Sequence, residues 1–210
     1  MKLYYSPGAC SLSPHIVARE AGLPVELSRV TFDGAKRTTA DGEDFFVVNN
    51  RGGYVPALRL DSDEVLVEGP AIITYLADQV PVKKLTPTQG TIDYYRMLSW
   101  ITFVSTELHK GFSPLFNKDL PEDQKKAVID KLKKRYAVVE AALAGKDYLI
   151  ANTFSIADAY LYTIAIRWSP RAGIVIAEEY PNLAVFMKRM EAREGVRAAL
   201  KEEALEPMAK

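Results

Sequence analysis

The chain has 210 residues, of which 48% are apolar and 26% are charged, and this balance is typical of a globular protein with a substantial core. Its 27 basic side chains match its 27 acidic ones, so the net charge creates no field that would attract nucleic acid or an anionic membrane. One cysteine excludes an internal disulfide framework and a metal cluster built on several thiolates.

The first 80 residues alternate between short strand and helix patterns. Strands are predicted at residues 2–5, 25–30, 55–60 and 65–67, and helices at residues 11–22, 44–49 and 69–78. The first helix has hydroxyl residues and Pro14 near its start and Gly22 at its end, which are typical helix boundaries. The order βαβαββα predicts an α/β domain.

The chain changes character after residue 80. A polar connector between Pro81 and Pro87 leads to segments with helical periodicity, at residues 93–116, 121–143, 159–168 and from 181 onward. Ser155 and Asp158 match a capping box at the start of the third of these helices. We therefore predict an α/β domain at residues 1–80, a linker at 81–86 and an all-helical domain at 87–210.

The sequence lacks the patterns that are typical of membrane spans, signal peptides, metal sites and phosphate-binding loops. No apolar run approaches the ~18 residues of a membrane span, and the first residues lack the long apolar stretch of a signal peptide. No spacing of His, Cys, Asp and Glu suggests a metal site, and no glycine-rich phosphate-binding motif occurs. We expect a cytoplasmic protein that binds neither membranes nor nucleic acid.

Cys10 lies between the first strand and the first helix. The unpaired N–H groups and the positive dipole end of a helix start favour a thiolate there, which makes Cys10 a candidate reactive group. The alternative is a buried cysteine that packs as a small hydrophobe. Ser13 stands where a Cys-x-x-Cys motif has its second thiol, so a reactive Cys10 would have to pair with an external thiol.

Two further segments of the first domain suggest a binding surface. Val55 and Pro56 follow Gly52 and Gly53, which indicates an exposed backbone, and the Val55–Pro56 bond can be cis or trans. Glu68 precedes a helix start, where it could pair with a ligand's amino group while the helix N–H groups bind the ligand's carboxylate. Alternatively, Glu68 interacts only with the helix dipole.

A polar row follows the first long helix of the second domain. Thr102, Thr106 and His109 are spaced to share one helix face, and Lys110 is adjacent to His109. His109 is either a surface or structural residue or a group that steadies a thiolate and moves protons. His15 has no polar company in the sequence, and we expect it to be structural.

Five segments in register resemble bacterial beta-class glutathione S-transferases: Tyr4–Ser11, Tyr54–Leu58, Glu68–Ile72, Thr106–Lys110 and Ser155–Tyr160. The resemblance implies a thioredoxin-like N-terminal domain that binds glutathione and an all-α C-terminal domain that forms the pocket for the electrophile. It also implies a homodimer, glutathione as co-substrate and no metal.

The same resemblance implies roles for single residues. Cys10 and His109 would be catalytic, and Cys10 would be able to form a mixed disulfide with glutathione. Lys36 or Arg37, in the loop before the second helix, would lie near the glycyl carboxylate, and Ser155 with Asp158 would form a folding cap. The glutathione-binding residues implied are Cys10, Lys36, Tyr54, Val55, Pro56, Glu68, Gly69, Thr102, Thr106, His109 and Lys110.

The expected function is transfer of glutathione to soft, hydrophobic electrophiles in detoxification, by activation of the glutathione thiolate. A second hypothesis is glutathione-dependent thiol–disulfide exchange, with Cys10 attacking a disulfide. A third is a non-catalytic protein that binds apolar ligands.

Overall fold

The computed structural model of the chain describes residues 1–150 and 152–209. These residues form two compact units that are not continuous in sequence. The first unit contains Met1–Leu85 and Glu194–Glu206, and the second contains Thr86–Arg193 and the residues from Pro207 onward. The predicted boundaries at residues 80 and 87 stay a prediction.

A five-stranded mixed sheet forms the centre of the first unit. Its strands are β1 (Lys2–Tyr5), β2 (Glu26–Asp33), β3 (Lys36–Thr39), β4 (Ala57–Arg59) and β5 (Val65–Val67), in the spatial order β3-β2-β1-β4-β5. β1 is parallel to β2 and antiparallel to β4, and Leu3 pairs with both Leu27 and Leu58. The remaining pairs are antiparallel.

β3 corrects the predicted order βαβαββα, which placed a loop at Lys36 and Arg37. Gly34, at φ +55°, lies in the turn that returns the chain from β2, and Val30 pairs with Thr39. Of the four residues of β3, only Thr39 is buried. Because the strand lies at the sheet edge and is largely exposed, it lacks the apolar alternation that would have revealed it.

Three helices accompany this sheet: α1 (Leu12–Ala21), α2 (Phe45–Val48) and α3 (Gly69–Asp78), followed by a 3₁₀ turn at Pro81–Lys83. Gly22 ends α1 in the left-handed conformation, as its position predicts. Apolar side chains of β1, β2, β4 and α2 pack in one cluster that also contains Val55: Tyr4, Val30, Phe45, Val48, Val55 and Ala57. This packing fixes the segment that leads into β4.

The second unit is helical. It contains α4 (Ile92–Phe103), α5 (Lys110–Phe112), α6 (Glu122–Leu143), α7 (Ile156–Leu161), α8 (Ile176–Glu179) and α9 (Pro181–Glu191). The predicted single helix at 93–116 is wrong, because a π-helical segment at Val104–His109 separates α4 from α5 and a 3₁₀ turn follows at Ser113–Phe116. A second π-helical segment, Tyr162–Ile166, follows α7. Among the described residues, no helix is both long and apolar enough to cross a membrane.

The predicted capping box at the start of α7 is confirmed. The carboxylate of Asp158 accepts hydrogen bonds from the N–H and the hydroxyl of Ser155, each at 2.8 Å, and from the N–H of Leu149 at 2.9 Å. Burial raises the pKa of Asp158 to about 6 despite these donors. The box ties the loop before α7 to the first turn of the helix.

The last helix, α10 (Glu194–Glu202), belongs to the first unit and packs against α1. A Cβ atom on Gly195 would lie 2.8 Å from the backbone nitrogen of Glu20, so only glycine permits this approach. The helix that completes the first unit is therefore more than 100 residues away from it in sequence.

Candidate active site

Cys10 lies in the loop between β1 and α1. Its Sγ–H donates a hydrogen bond to the carbonyl oxygen of Val55 at 3.2 Å, and its side chain is half-buried. The hydroxyl of Ser11 accepts from the N–H of Ser6 at 3.1 Å and donates to the Ser6 carbonyl at 3.2 Å, which closes the loop. The Ser13 hydroxyl donates to the Cys10 carbonyl at 3.0 Å. Partial exposure suits a reactive thiol better than a core residue.

The Val55–Pro56 peptide bond is cis. Asn49 holds the turn before it, because its Nδ2 donates to the Tyr54 carbonyl at 2.8 Å and its Oδ1 accepts from the Arg51 N–H at 3.1 Å. Asn49 is itself buried. The structure thus brings together two predicted site residues, Cys10 and Val55, and the turn before Val55 is held by Asn49, which was not predicted as a site residue.

Glu68 lies at the start of α3 with an unusual backbone. Its φ is +74°, which is uncommon for a residue with a side chain, and its carboxylate is exposed. Gly69 and Pro70 follow in the first turn of α3, and a Cβ on Gly69 would lie 3.8 Å from the ring of Pro56. An exposed acid, a helix start and the cis-proline therefore lie next to one another. Strained backbone of this kind concentrates at functional sites.

Lys36 and Arg37 both lie on β3, not in the predicted loop, and their surroundings differ. The Arg37 guanidinium donates to the Gly52 carbonyl and lies 4.8 Å and 4.9 Å from the ring centres of Phe46 and Tyr54. Lys36 is exposed. Arg37 therefore holds the turn at residues 50–54, whereas the ammonium group of Lys36 faces solvent.

His15 is fully buried, and the expectation that it lacks polar company is wrong. Its Nδ1 lies 2.9 Å from a carboxylate oxygen of Glu203, and its Nε2 lies 2.6 Å from one of Glu202. The second Glu203 oxygen accepts a hydrogen bond from the N–H of Gly8 at 2.9 Å. Arg19 also pairs with Glu202. The carboxylates at the end of α10 thus anchor both α1 and the loop that carries Cys10.

In the second unit, the residues of the predicted polar row have different surroundings: Thr102 and Thr106 are exposed, whereas His109 contacts aromatic side chains. The hydroxyls of Thr102 and Thr106 donate to the carbonyls four residues earlier, at 2.9 Å and 3.0 Å, and both side chains are exposed. His109 ends the π-helical segment, and its Nδ1 lies 2.7 Å from the hydroxyl oxygen of Tyr160. The wide turn rotates His109 out of the register of an α-helix and toward aromatic side chains.

Burial, together with the adjacent Lys110, lowers the pKa of His109 to about 4. Its ring makes edge contacts with Tyr160 and Trp168, at centroid distances of 5.9 Å and 5.1 Å. The imidazole is therefore neutral at pH 7 and carries one N–H donor and one acceptor nitrogen. It can offer a hydrogen bond to an anion, but it does not bring a positive charge.

Three residues that support the candidate site were not predicted from the sequence: Asn49, Glu203 and Tyr160. A signal exists for Asn49, which precedes the Gly52–Gly53 turn, since asparagine commonly stabilises turns through its side chain. Glu203 and Tyr160 act on partners 188 and 51 residues away, so no local pattern could have found them. In the described part of the chain, no group of three or more His, Cys, Asp or Glu side chains could hold a metal ion.

Two family models match the chain. The model described as the glutathione S-transferase N-terminal domain matches residues 8–79, and that of the C-terminal domain matches residues 103–194. These matches confirm the predicted architecture, a thioredoxin-like α/β domain followed by a helical domain.

Individual relatives extend over nearly the whole chain. The glutathione S-transferase GstA of Escherichia coli O157:H7 is 43% identical over 98% of this chain and 100% of its own length. A sphingomonad glutathione S-transferase solved in complex with glutathione is 46% identical with a TM-score of 0.90, and it covers 98% of this chain and 100% of its own. A beta-class enzyme of Sphingomonas chungbukensis is 42% identical with a TM-score of 0.91 at the same coverage.

Proposed function

Because this chain belongs to the glutathione S-transferase family, we propose that it takes glutathione as co-substrate and joins its sulfur to soft, hydrophobic electrophiles. One observation carries the proposal. The Cys10 thiol lies 3.2 Å from the Val55 carbonyl, beside the cis Val55–Pro56 bond. A cysteinyl ligand that pairs with the Val55 backbone would bring its own sulfur close to Cys10.

The first unit also contains groups that could bind the two ends of glutathione. Glu68 is exposed at the start of α3, so its carboxylate can pair with the γ-glutamyl amino group. The N–H groups of Gly69 and Ala71 at that helix start suit the γ-glutamyl carboxylate, whereas Pro70 has no N–H and that of Ile72 donates to the Glu68 carbonyl. For the glycyl carboxylate we favour Lys36 over Arg37, because Arg37 already binds the Gly52 carbonyl.

In this proposal Cys10 positions the glutathione sulfur and does not attack the electrophile. With an aryl halide as the electrophile, the glutathione thiolate attacks the carbon that bears the halogen, a carbon–sulfur bond forms, and the halide leaves with the electron pair of the broken carbon–halogen bond. His109 is neutral and is suited to offer a hydrogen bond to that thiolate. We assign Tyr54, Thr102, Thr106 and Lys110 to the same glutathione site on the resemblance alone.

A second activity, thiol–disulfide exchange, is favoured by the partial exposure of Cys10. The Cys10 thiolate would attack the glutathione sulfur of a mixed disulfide between glutathione and another thiol, form its own mixed disulfide with glutathione and release the other thiol. Attack by a second glutathione on that disulfide would then regenerate the Cys10 thiolate and yield oxidised glutathione. Ser13 cannot resolve that disulfide, so a second glutathione must.

We further propose a homodimer, as in the family that the sequence resembles, and a cytoplasmic location. A reducing compartment suits both glutathione and a chain with one cysteine.

Steady-state conjugation of chlorodinitrobenzene, with and without glutathione, tests the function. We expect a rate that requires both the protein and glutathione and saturates with each substrate. Tight binding of glutathione or of apolar ligands without any turnover would instead support the ligand-binding hypothesis. Absence of any glutathione-dependent rate contradicts the proposal.

A further inference from the structure

The helical unit contains a pocket of about 410 Å³ outside the residues assigned to glutathione. It lies between the turn after α5, the first turns of α6 and the 3₁₀ turn at Ser169–Ala172. A volume of this size suits a small organic molecule. Its lining combines two leucines with polar and charged side chains: Leu115, Leu120, Asn117, Lys118, Glu122, Lys125 and Arg171.

The charges that face this pocket are unequal. Lys118, Lys125 and Arg171 are basic, and Glu122 is the acidic side chain among the lining residues. The nearest approach of Lys125 and Glu122 is 3.6 Å, which is long for an ion pair and contributes little at an exposed position. Within residues 1–150 and 152–209, neither Lys118 nor Arg171 forms an ion pair with a carboxylate. The pocket therefore has an excess of positive charge.

Aromatic rings fix the position of Arg171. Its guanidinium carbon lies 5.1 Å from the ring centre of Phe116 and 5.8 Å from that of Trp168. The Phe116 ring is 50% exposed and makes an edge contact with Trp168 at 5.2 Å. An exposed aromatic face thus lies directly beside an arginine whose donors remain available.

A chain of ring contacts connects this pocket to the candidate catalytic histidine. Trp168, which is buried, makes ring contacts with both Phe116, at 5.2 Å, and His109, at 5.1 Å. All of these residues lie in the helical unit. An aromatic ligand with its anionic end at Arg171 would therefore have its ring beside Phe116, which adjoins the pocket between the lining residues Leu115 and Asn117.

From these observations we propose that the pocket binds aromatic molecules that carry an anionic group, and that the preferred electrophiles of this protein are aromatic anions. Phe116 supplies the apolar contact, and Arg171 binds the carboxylate or sulfonate with help from Lys118 and Lys125. The statement about electrophiles rests on the proposed transferase function, whereas the statement about binding does not.

Binding is tested without turnover, by quenching of tryptophan fluorescence. The chain has two tryptophans, so a Trp100→Phe background leaves Trp168 as the reporter. The probes are dinitrobenzoate and dinitrobenzene, which differ by one carboxylate. We expect dinitrobenzoate to bind about fivefold more tightly, with a preference that declines as salt is raised. Arg171→Gln should abolish the preference.

A matched control separates the pocket from overall charge. Lys125 lines the pocket. Its neighbour on α6, Lys126, is exposed and is not one of the lining residues. Lys125→Gln should reduce the preference for the anion, and Lys126→Gln should leave it unchanged. Equal affinity for the two probes, or a preference that survives Arg171→Gln, overturns the binding proposal.

Turnover is tested with a second pair, chlorodinitrobenzoate and chlorodinitrobenzene. The ratio of their kcat/KM values should favour the anion and fall about fivefold in Arg171→Gln. If both are conjugated and the ratio does not change, the electrophile proposal fails while the transferase function stands. If neither is conjugated but the binding preference holds, the transferase function fails and the anion pocket stands.

Discussion

The carboxylate of Glu203 accepts a hydrogen bond from the N–H of Gly8 at 2.9 Å, two residues before Cys10. Its other oxygen lies 2.9 Å from the imidazole of the buried His15. One buried side chain therefore connects the end of the chain to the loop that carries the thiol.

Glu203→Gln should reduce the free energy of unfolding by about 1.5–3 kcal/mol, because a buried charged hydrogen-bond acceptor becomes neutral. It should also raise the KM for glutathione more than it lowers kcat, because the Cys10 loop loses its anchor. Urea unfolding and initial-rate kinetics measure the two effects. Glu202→Gln is the matched control, since Glu202 also contacts His15 but not Gly8. An equal rise in KM in both variants would refute the anchoring role.

Cys10→Ala separates the two proposed chemistries. Conjugation of chlorodinitrobenzene should continue, because the attacking sulfur belongs to glutathione. Reduction of a mixed disulfide substrate should disappear, because its nucleophile is gone. Ser13→Ala should leave both rates unchanged, since within residues 1–150 and 152–209 its hydroxyl bonds only to the Cys10 carbonyl and not to the thiol. Equal loss of both activities in Cys10→Ala would contradict the assignment of Cys10 as a positioning group.

Two substitutions at Glu68 distinguish the effect of its charge on glutathione binding from the effect of its strained backbone on stability. Glu68→Gln should raise the KM for glutathione about fivefold to tenfold, because the pairing with the γ-glutamyl amino group is lost. Glu68→Gly should raise it at least as much, yet increase the free energy of unfolding by about 1 kcal/mol, since glycine accepts a φ of +74°. Glu64→Gln, in the exposed turn between β4 and β5, is the control and should change neither quantity.

The low pKa of His109, about 4, predicts a definite pH dependence of stability. An unfolded histidine has a pKa near 6.5, so as the pH falls below 6.5 the unfolded chain takes up the proton first. The contribution of neutral His109 is therefore complete above pH 6.5 and declines between pH 6.5 and 4. His109→Gln should remove that part of the slope in denaturant titrations.

Direct titration checks the same assignment. The His109 ring signals in NMR should stay constant from pH 8 to pH 6 and shift only near pH 4. A midpoint near 6.5 would show that the imidazole is not held neutral by burial. Tyr160→Phe, which removes the hydroxyl 2.7 Å from Nδ1, tests whether this contact alters the titration of His109.

Local signals predicted much of the first unit. The positions of Pro14, Gly22 and Pro70 mark helix boundaries through backbone geometry alone, and the structure has helices there. β3 was missed because its stabilisation comes from pairing with β2 and not from burial of an apolar face. A largely exposed edge strand leaves almost no trace in the pattern of hydrophobic residues.

The candidate site was predictable by residue type but not by arrangement. Cys10, Glu68 and His109 stand out because reactive or charged groups occupy helix starts or an apolar helix. The π-helical turn ends at His109, whose ring contacts Tyr160 and Trp168, and a spacing rule for α-helices does not predict such a turn. The contacts of the Glu203 carboxylate with Gly8 and His15 likewise join residues that are separated by nearly the whole length of the chain.

The return of α10 to the first unit has a consequence for biosynthesis. During translation the sheet and α1 emerge long before residues 194–206, which complete the same unit. Until that late segment arrives, the Gly8 N–H and the His15 ring lack the Glu203 carboxylate. The thiol loop of a nascent or prematurely terminated chain therefore lacks its contact with Glu203, and the surroundings of Cys10 are complete only when synthesis is nearly finished.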